Sequence, residues 1–176
     1  MIALDPRYMI GLARPRDLPA LAEIERAAGA LLLPYAPPTI LDETTTAEAL
    51  GDAIARDLLW VARDAQGPVG FAIVCLLASD LPHLAELDVH PEHGRRGIGS
   101  ALVRAVCEWL ERSAYPDLTL TTFRHVRWNM PFYVRLGFEE VPATDLGPAL
   151  RAVVDDETAR GLDPEARVVM RYRRRG

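Results

Sequence analysis

The sequence contains no lysine; all 20 of its cationic residues are arginine. That absence removes the phosphate loop of nucleoside-triphosphate-binding proteins, whose G-x-x-x-x-G-K-[ST] pattern requires a lysine. Cysteine is almost as scarce. Cys75 and Cys107 stand alone in the apolar runs FAIVCLL and ALVRAVCEWL. There a thiol behaves as a small buried hydrophobe, and two isolated cysteines build neither a zinc framework nor a secreted disulfide pattern. No metal is expected, and a reduced, cytoplasmic compartment is. No apolar run approaches the ~20 residues that span a bilayer. Nor does the start of the chain combine a basic stretch, an apolar run and a small-residue cleavage site, so neither export nor membrane insertion is expected. Internal repeats, heptads and low-complexity blocks are missing as well. With a net charge of -5, the chain also lacks the basic face that a general nucleic-acid binder needs for counterion release.

What remains is a chain of 176 residues, 49% of them hydrophobic. It is long enough to bury a core without staples, and no glycine-, serine- or charge-rich linker divides it. A single domain over residues 1–176 is expected. Residues 8–13 read as a strand, and Pro15 with Asp17 marks the start of a helix whose apolar positions Leu18, Leu21, Ile24 and Ala28 recur at helical spacing. The prolines at 34, 37 and 38 then predict an extended apolar loop, free of helix, before a second helix over residues 46–56. Strands over 59–63, 69–77 and 83–89 follow, joined by short turns into an antiparallel meander. After Pro91 a glycine-containing turn opens a strongly amphipathic helix with Ile98, Leu102, Val106, Trp109 and Leu110 on its apolar face. The second half reads as a strand over 118–123, a short helix over 129–135 stopped by Gly137, a strand over 138–141, a helix over 148–159 and a strand over 167–172. Trp128, Phe132 and Phe138 are expected to pack in the core, and Arg171, Arg173, Arg174 and Arg175 to form a solvated terminus. The fold class is α/β in the α+β sense: one mixed, mostly antiparallel sheet flanked by helices.

One motif carries chemistry. Gly94, Arg95, Arg96, Gly97, Ile98, Gly99 and Ser100 stand where a strand ends and a long helix begins, so backbone N–H groups and the positive end of the helix dipole converge there. Glycines at 97 and 99 let the backbone approach a bulky phosphate, and Arg95 and Arg96 can add charge-assisted hydrogen bonds at the rim. A dinucleotide fold needs a third glycine or alanine where Leu102 stands, an acidic residue ending the next strand, and a parallel lead-in. Asp117 precedes its strand, and the lead-in is antiparallel. Coenzyme A is the phosphate ligand left.

The stretch LDVHPEHGRRGIGSALV, followed some thirty residues later by WNMPFYVRLGF, resembles the GCN5-related N-acetyltransferase (GNAT) superfamily. The first stretch is similar to that family's pyrophosphate loop, with Gly94 at a position commonly Arg or Gln. The second is similar to its Asn-to-Tyr helix ending in Leu-Gly-Phe. The resemblance implies an acetyl-CoA-dependent N-acetyltransferase acting on a primary amine, most simply of a small molecule, with a homodimer as the family-level assembly.

It also implies roles. The strand at Leu87, Asp88 and Val89 pairs with the pantetheine arm, and a backbone N–H there, that of Val89, meets the thioester oxygen. Asn129 contacts the coenzyme arm, an N-cap being the other reading of it. Tyr133 stands near the sulfur and protonates the departing thiolate, which with a phenol pKa of about 10 requires that the site hold the two together. A carboxylate on the strand HLAELDVH takes the amine proton. Alternation sends Leu84, Glu86, Asp88 and His90 to one face and His83, Ala85, Leu87 and Val89 to the other. Glu86 is the first candidate base, with Asp88 and His83 next. Paired carboxylates also suit holding a cationic substrate, and two like charges on one face raise one of their pKa values. The rival of a different class is a non-catalytic acyl-CoA-binding sensor, for which an acid beside the sulfur has no use.

Overall fold

The computed structural model describes residues 3–78 and 80–175. The strands are β1 (Met9–Leu12), β2 (Leu59–Arg63), β3 (Pro68–Leu77), β4 (Leu81–Val89), β5 (Asp117–Phe123), β6 (Glu139–Glu140) and β7 (Arg167–Arg173). The α-helices are α1 (Leu18–Gly29), α2 (Pro38–Leu41), α3 (Ala47–Ala55), α4 (Ile98–Arg112), α5 (Met130–Arg135) and α6 (Pro148–Ala159). The strands form one sheet in the order β1-β2-β3-β4-β5-β7-β6. Its β1–β2, β2–β3, β5–β7 and β6–β7 pairs are antiparallel, whereas β4 and β5 run parallel with His83 in register with Thr119. The α/β class with a mixed, mostly antiparallel sheet is therefore as the sequence predicts.

By contact density the chain forms two compact units, one holding residues 1–75 and 86–106, the other residues 76–85 and 107–176. In the first, Leu21 and Ile24 of α1 and Leu50 and Ala53 of α3 are buried, together with Val61 of β2, Phe71 and Val74 of β3 and Ile98, Leu102 and Val106 of α4. Each of the larger of these side chains removed from water contributes about 1.5–3 kcal/mol. The buried carboxylate of Asp17 makes entry into α1 specific. It accepts from the Arg14 N–H at 2.7 Å and from Arg63 Nε at 3.0 Å, and it is ion-paired with the Arg63 guanidinium.

The segment after α1 differs from the extended loop predicted. Ala30–Leu32 continues as a 3-10 turn, and Pro38 begins the four-residue helix α2 instead of forbidding it. Proline lacks the N–H that the first helical turn leaves unbonded, and its fixed φ suits that position, so Pro38 breaks the chain before itself and not after. Thr46 then caps α3 by accepting from the Ala49 N–H at 3.2 Å.

In the second unit β5 and β7 bury Leu118, Leu120, Phe123, Val168, Val169 and Met170, and Val141 and Leu150 pack against Val169. Arg167 bridges to Glu157 of α6 at 2.6 Å and lies over the Phe123 ring at 4.5 Å. The terminal arginines are not simply solvated, as their position at the end of the chain suggested. Arg171 and Arg173 belong to β7 and both pair with Glu139, and Arg174 donates to the Ser113 carbonyl. Pairing with β5 on one side and β6 on the other carries the strand past residue 172. Trp128, expected in the core, is exposed, while Phe138 is buried.

The turn before α4 is the most constrained backbone in the first unit. Gly97 has φ +81°, and a Cβ there would meet the Ala3 carbonyl oxygen at 2.5 Å. Both the conformation and the contact exclude a side chain. Gly97→Ala is expected to cost about 1–3 kcal/mol, read as a lower urea midpoint at unchanged m-value. An unshifted midpoint would show that this turn relaxes freely.

Candidate active site

β4 presents functional groups in two directions. Gly70 of β3 lies against Val89: a Cβ on Gly70 would touch the Asp88 carbonyl oxygen at 2.7 Å and Val89 Cα at 3.3 Å. The His90 N–H donates to the Val69 carbonyl at 2.9 Å. Hydrogen-bonding groups alternate sides along a strand, so the N–H groups of Asp88 and His90 point toward β3 and those of Leu87 and Val89 away from it.

Perpendicular to this, the side chains of Glu86 and Asp88 share a face, as alternation predicts. Glu25, projecting from α1, joins them, and ligating oxygens of the three carboxylates lie within 4.8 Å of one another. Asp88 Oδ2 is buried with no hydrogen-bond partner. Burial first, then the charges of Glu86 and Glu25, raises the proton affinity of Asp88 well above the ordinary carboxylate range. Burial likewise raises the Glu25 pKa, although bonds from Thr45 oppose it. The Thr45 N–H donates to Oε2 at 2.9 Å and its hydroxyl to Oε1 at 3.0 Å. Burial also pushes the Cys75 thiol up, helped by the charge of Glu86.

His83, the third candidate base, is placed differently. It is buried, and its Nδ1 lies 3.0 Å from Thr119 Oγ1, whose hydroxyl donates to the Pro82 carbonyl at 3.1 Å. The Thr119 proton being so engaged, Nδ1 is the donor to its oxygen. Burial lowers the His83 pKa to about 4, so this imidazole is neutral and is no part of the carboxylate group.

At the other end of β4, residues 94–100 form the predicted strand-to-helix turn. Arg95 and Gly97 both adopt positive φ, 58° and 81°, a geometry that gathers backbone N–H groups into a concave anion cradle. Arg95 is exposed, whereas Arg96 is committed to the scaffold: its guanidinium donates to Tyr8 Oη at 2.6 Å, and its carbonyl accepts from the Asp5 N–H at 3.2 Å. Tyr8 Oη in turn lies 3.0 Å from His93 Nδ1. Ile98, Gly99 and Ser100 begin α4, where N–H groups lack helical acceptors. His90, Glu92 and His93 make a second cluster of metal-competent side chains beside this turn.

In the second unit Tyr133 lies on α5, edge-to-face with Phe132 at 5.0 Å and with Phe138 at 5.6 Å. Asn129 occupies the N-cap position of α5, but its side chain makes no capping bond. Gly137, at φ +95°, ends that helix as predicted, with the Phe138 N–H donating back to the Tyr133 carbonyl at 3.1 Å.

Sequence reasoning missed Glu25, Thr45 and Tyr8. Glu25 carried a usable signal: it stands four residues after Leu21 and beside Ile24, on the apolar stripe of α1 and not opposite it.

Residues 55–140 match the family described as Acetyltransferase (GNAT) domain. Among solved structures, N-acetylglutamate synthase from Neisseria gonorrhoeae, complexed with coenzyme A and N-acetyl-glutamate, superposes with a TM-score of 0.72 at 18% identity. That alignment covers 99% of this chain but 37% of the synthase, so this chain spans little more than a third of that protein's length. The PaiA N-acetyltransferase from Thermoplasma acidophilum, in complex with coenzyme A, gives 0.72 at 18% identity over 94% of this chain and 98% of its own. A GNAT-family acetyltransferase from Staphylococcus aureus gives 0.65 at 14%, covering 96% and 99%. At such identities the likeness establishes the shared fold. With the family match and the strand-to-helix turn already described, it leads to one assignment: residues 55–140 are a GNAT acetyltransferase domain, in a chain that shares the fold of these structures.

Proposed function

We propose that the protein is an acetyl-CoA-dependent N-acetyltransferase, a single cytoplasmic domain that acetylates a primary amine by direct transfer in a ternary complex. The observation that carries this reading is Asp88: a buried carboxylate oxygen with no partner, beside Glu86, on the strand whose backbone N–H groups at Leu87 and Val89 point away from β3. A purely acyl-CoA-binding sensor has no use for a group of raised proton affinity there.

The residues fit the coenzyme. The turn of Gly94, Arg95, Arg96 and Gly97, with Ile98, Gly99 and Ser100 opening α4, offers backbone donors to a diphosphate, and the exposed Arg95 adds charge at its edge. Leu87 and Val89 offer backbone groups to the pantetheine arm, and Asn129 is assigned a contact on the same arm. Bound acetyl-CoA supplies an activated acetyl group on sulfur. The Val89 N–H polarises its carbonyl, an effect of about 3 kcal/mol per donor in a site that excludes water. The Glu86–Asp88 pair takes a proton from the acceptor ammonium, which frees the nitrogen lone pair. As the C–N bond forms and the C–S bond breaks, Tyr133 gives its phenolic proton to the departing sulfur and is reprotonated by the second proton that the nitrogen sheds. The products are an amide, a thiol and one released proton.

Thermal unfolding with acetyl-CoA, CoA and NADPH in parallel tests the cofactor. Ligand at 100 times its Kd adds about 2.7 kcal/mol, several degrees for a domain of this size, and both CoA forms are expected to shift Tm while NADPH does not. No CoA shift would overturn the reading. Tyr133→Phe is expected to lower kcat about 100-fold with CoA affinity nearly intact, and unchanged turnover would remove Tyr133 as the acid.

Asp88 also makes a prediction about stability. Its pKa is raised on folding, so the folded state holds this proton more tightly than the unfolded chain, and stability falls as pH rises above the ordinary aspartate value of 3.8. Asp88→Asn is therefore expected to raise Tm at pH 8 by a few degrees, with the gain fading toward pH 4. The same substitution is expected to lower kcat about 100-fold. A lower Tm at pH 8 would show that Asp88 is paired, not strained.

A further inference from the structure

We infer that the acceptor is an aliphatic diamine or polyamine, whose ammonium group is held by Glu25, Glu86 and Asp88 together. This rests on the N-acetyltransferase reading and names its substrate class.

Two independent observations support it. The first is spacing. A primary ammonium carries three N–H donors in tetrahedral directions, and charge-assisted bonds of about 2.8 Å place its three acceptors about 4.6 Å apart. One oxygen each of Glu25, Glu86 and Asp88 lies within 4.8 Å of the other two, close enough for a single ammonium to reach all three. The second is the Asp88 oxygen Oδ2, buried and lacking any hydrogen-bond partner. A buried acceptor left unbonded is costly, and a donor arriving with the substrate satisfies it. Glu25 is already fixed for the task, since Thr45 binds both of its oxygens from the side, through its N–H and its hydroxyl.

Charge decides which amine. One ammonium offsets one negative charge, and even with Asp88 holding its proton the pair of Glu25 and Glu86 leaves a second, so the residual field attracts a second cation on the same molecule. It repels the carboxylate that a free amino acid carries beside its amine. A hard divalent cation is served less well, because it takes six or more oxygen ligands and both Glu25 oxygens already accept from Thr45.

The test is calorimetric binding to the CoA-loaded protein of 1,4-diaminobutane, butylamine, glutamate and magnesium ion, alongside acetyl-transfer rates with the three amines. Diaminobutane is expected to bind, and to show kcat/KM, about tenfold or more better than butylamine, with glutamate weakest. Glu25→Gln, which keeps an acceptor for Thr45, is expected to bring diaminobutane down toward butylamine. A retained CoA-induced Tm shift shows that the variant is folded. Equal affinity for diaminobutane and butylamine, a preference for glutamate, or magnesium binding more tightly than the diamine overturns the inference. Diamine binding without any turnover supports the inference and overturns the catalytic reading. Turnover with no diamine preference does the reverse.

Discussion

A β-strand projects its side chains and its hydrogen-bonding groups at right angles, and the arrangement on β4 follows from that constraint. Within the sheet plane, the contact with β3 at Gly70 fixes the alternation that leaves the Leu87 and Val89 N–H groups turned away. Out of the plane, the same two-residue period stacks Glu86 and Asp88 on one face, where Glu25 completes the group. A slip of one residue exchanges both sets at once. It turns the carboxylates to the opposite face and points the Asp88 N–H where that of Val89 now stands. The small residue at 70 thus sets where these groups point although it carries no functional group.

The turn into α4 is held from the chain's beginning. The Asp5 N–H on the Arg96 carbonyl, the Arg96 guanidinium on Tyr8, Tyr8 on His93, and the approach of Gly97 to the Ala3 carbonyl all tie residues 3–8 to the loop. A cradle built from backbone N–H groups gains its affinity from fixed direction, so a scaffold that prevents those groups from rotating matters more than any side chain at the rim. Arg96 illustrates the point. Its charge serves the scaffold and leaves Arg95 as the exposed cation of the pair.

Much of this was legible in the sequence, for reasons that can be named. Period-2 and period-3.6 patterns are local, so β2, α4 and α6 fall where periodicity places them, and the shared face of Glu86 and Asp88 follows from their spacing alone. The glycine-bearing turn was legible because only a few residues tolerate positive φ. What escaped was tertiary. Glu25 meets β4 only when α1 docks on the sheet, and a helix glutamate in isolation reads as solvated. Pro38 was misread because proline forbids the interior of a helix yet suits its first turn, and periodicity over four residues cannot separate the two. Trp128 was misplaced because aromatic character predicts burial only on average.

Three of the ion pairs share a chemical property. Arg63 with Asp17, Arg167 with Glu157 and Arg124 with Glu140 all use guanidinium groups. A guanidinium stays protonated throughout the biological pH range and has no lone pair to offer an electrophile, whereas a lysine amine is nucleophilic in its neutral fraction. For the proposed acetyl-CoA-binding protein, the guanidinium groups that clamp the fold are inert to a reactive thioester, so stray acylation has no lysine to neutralise.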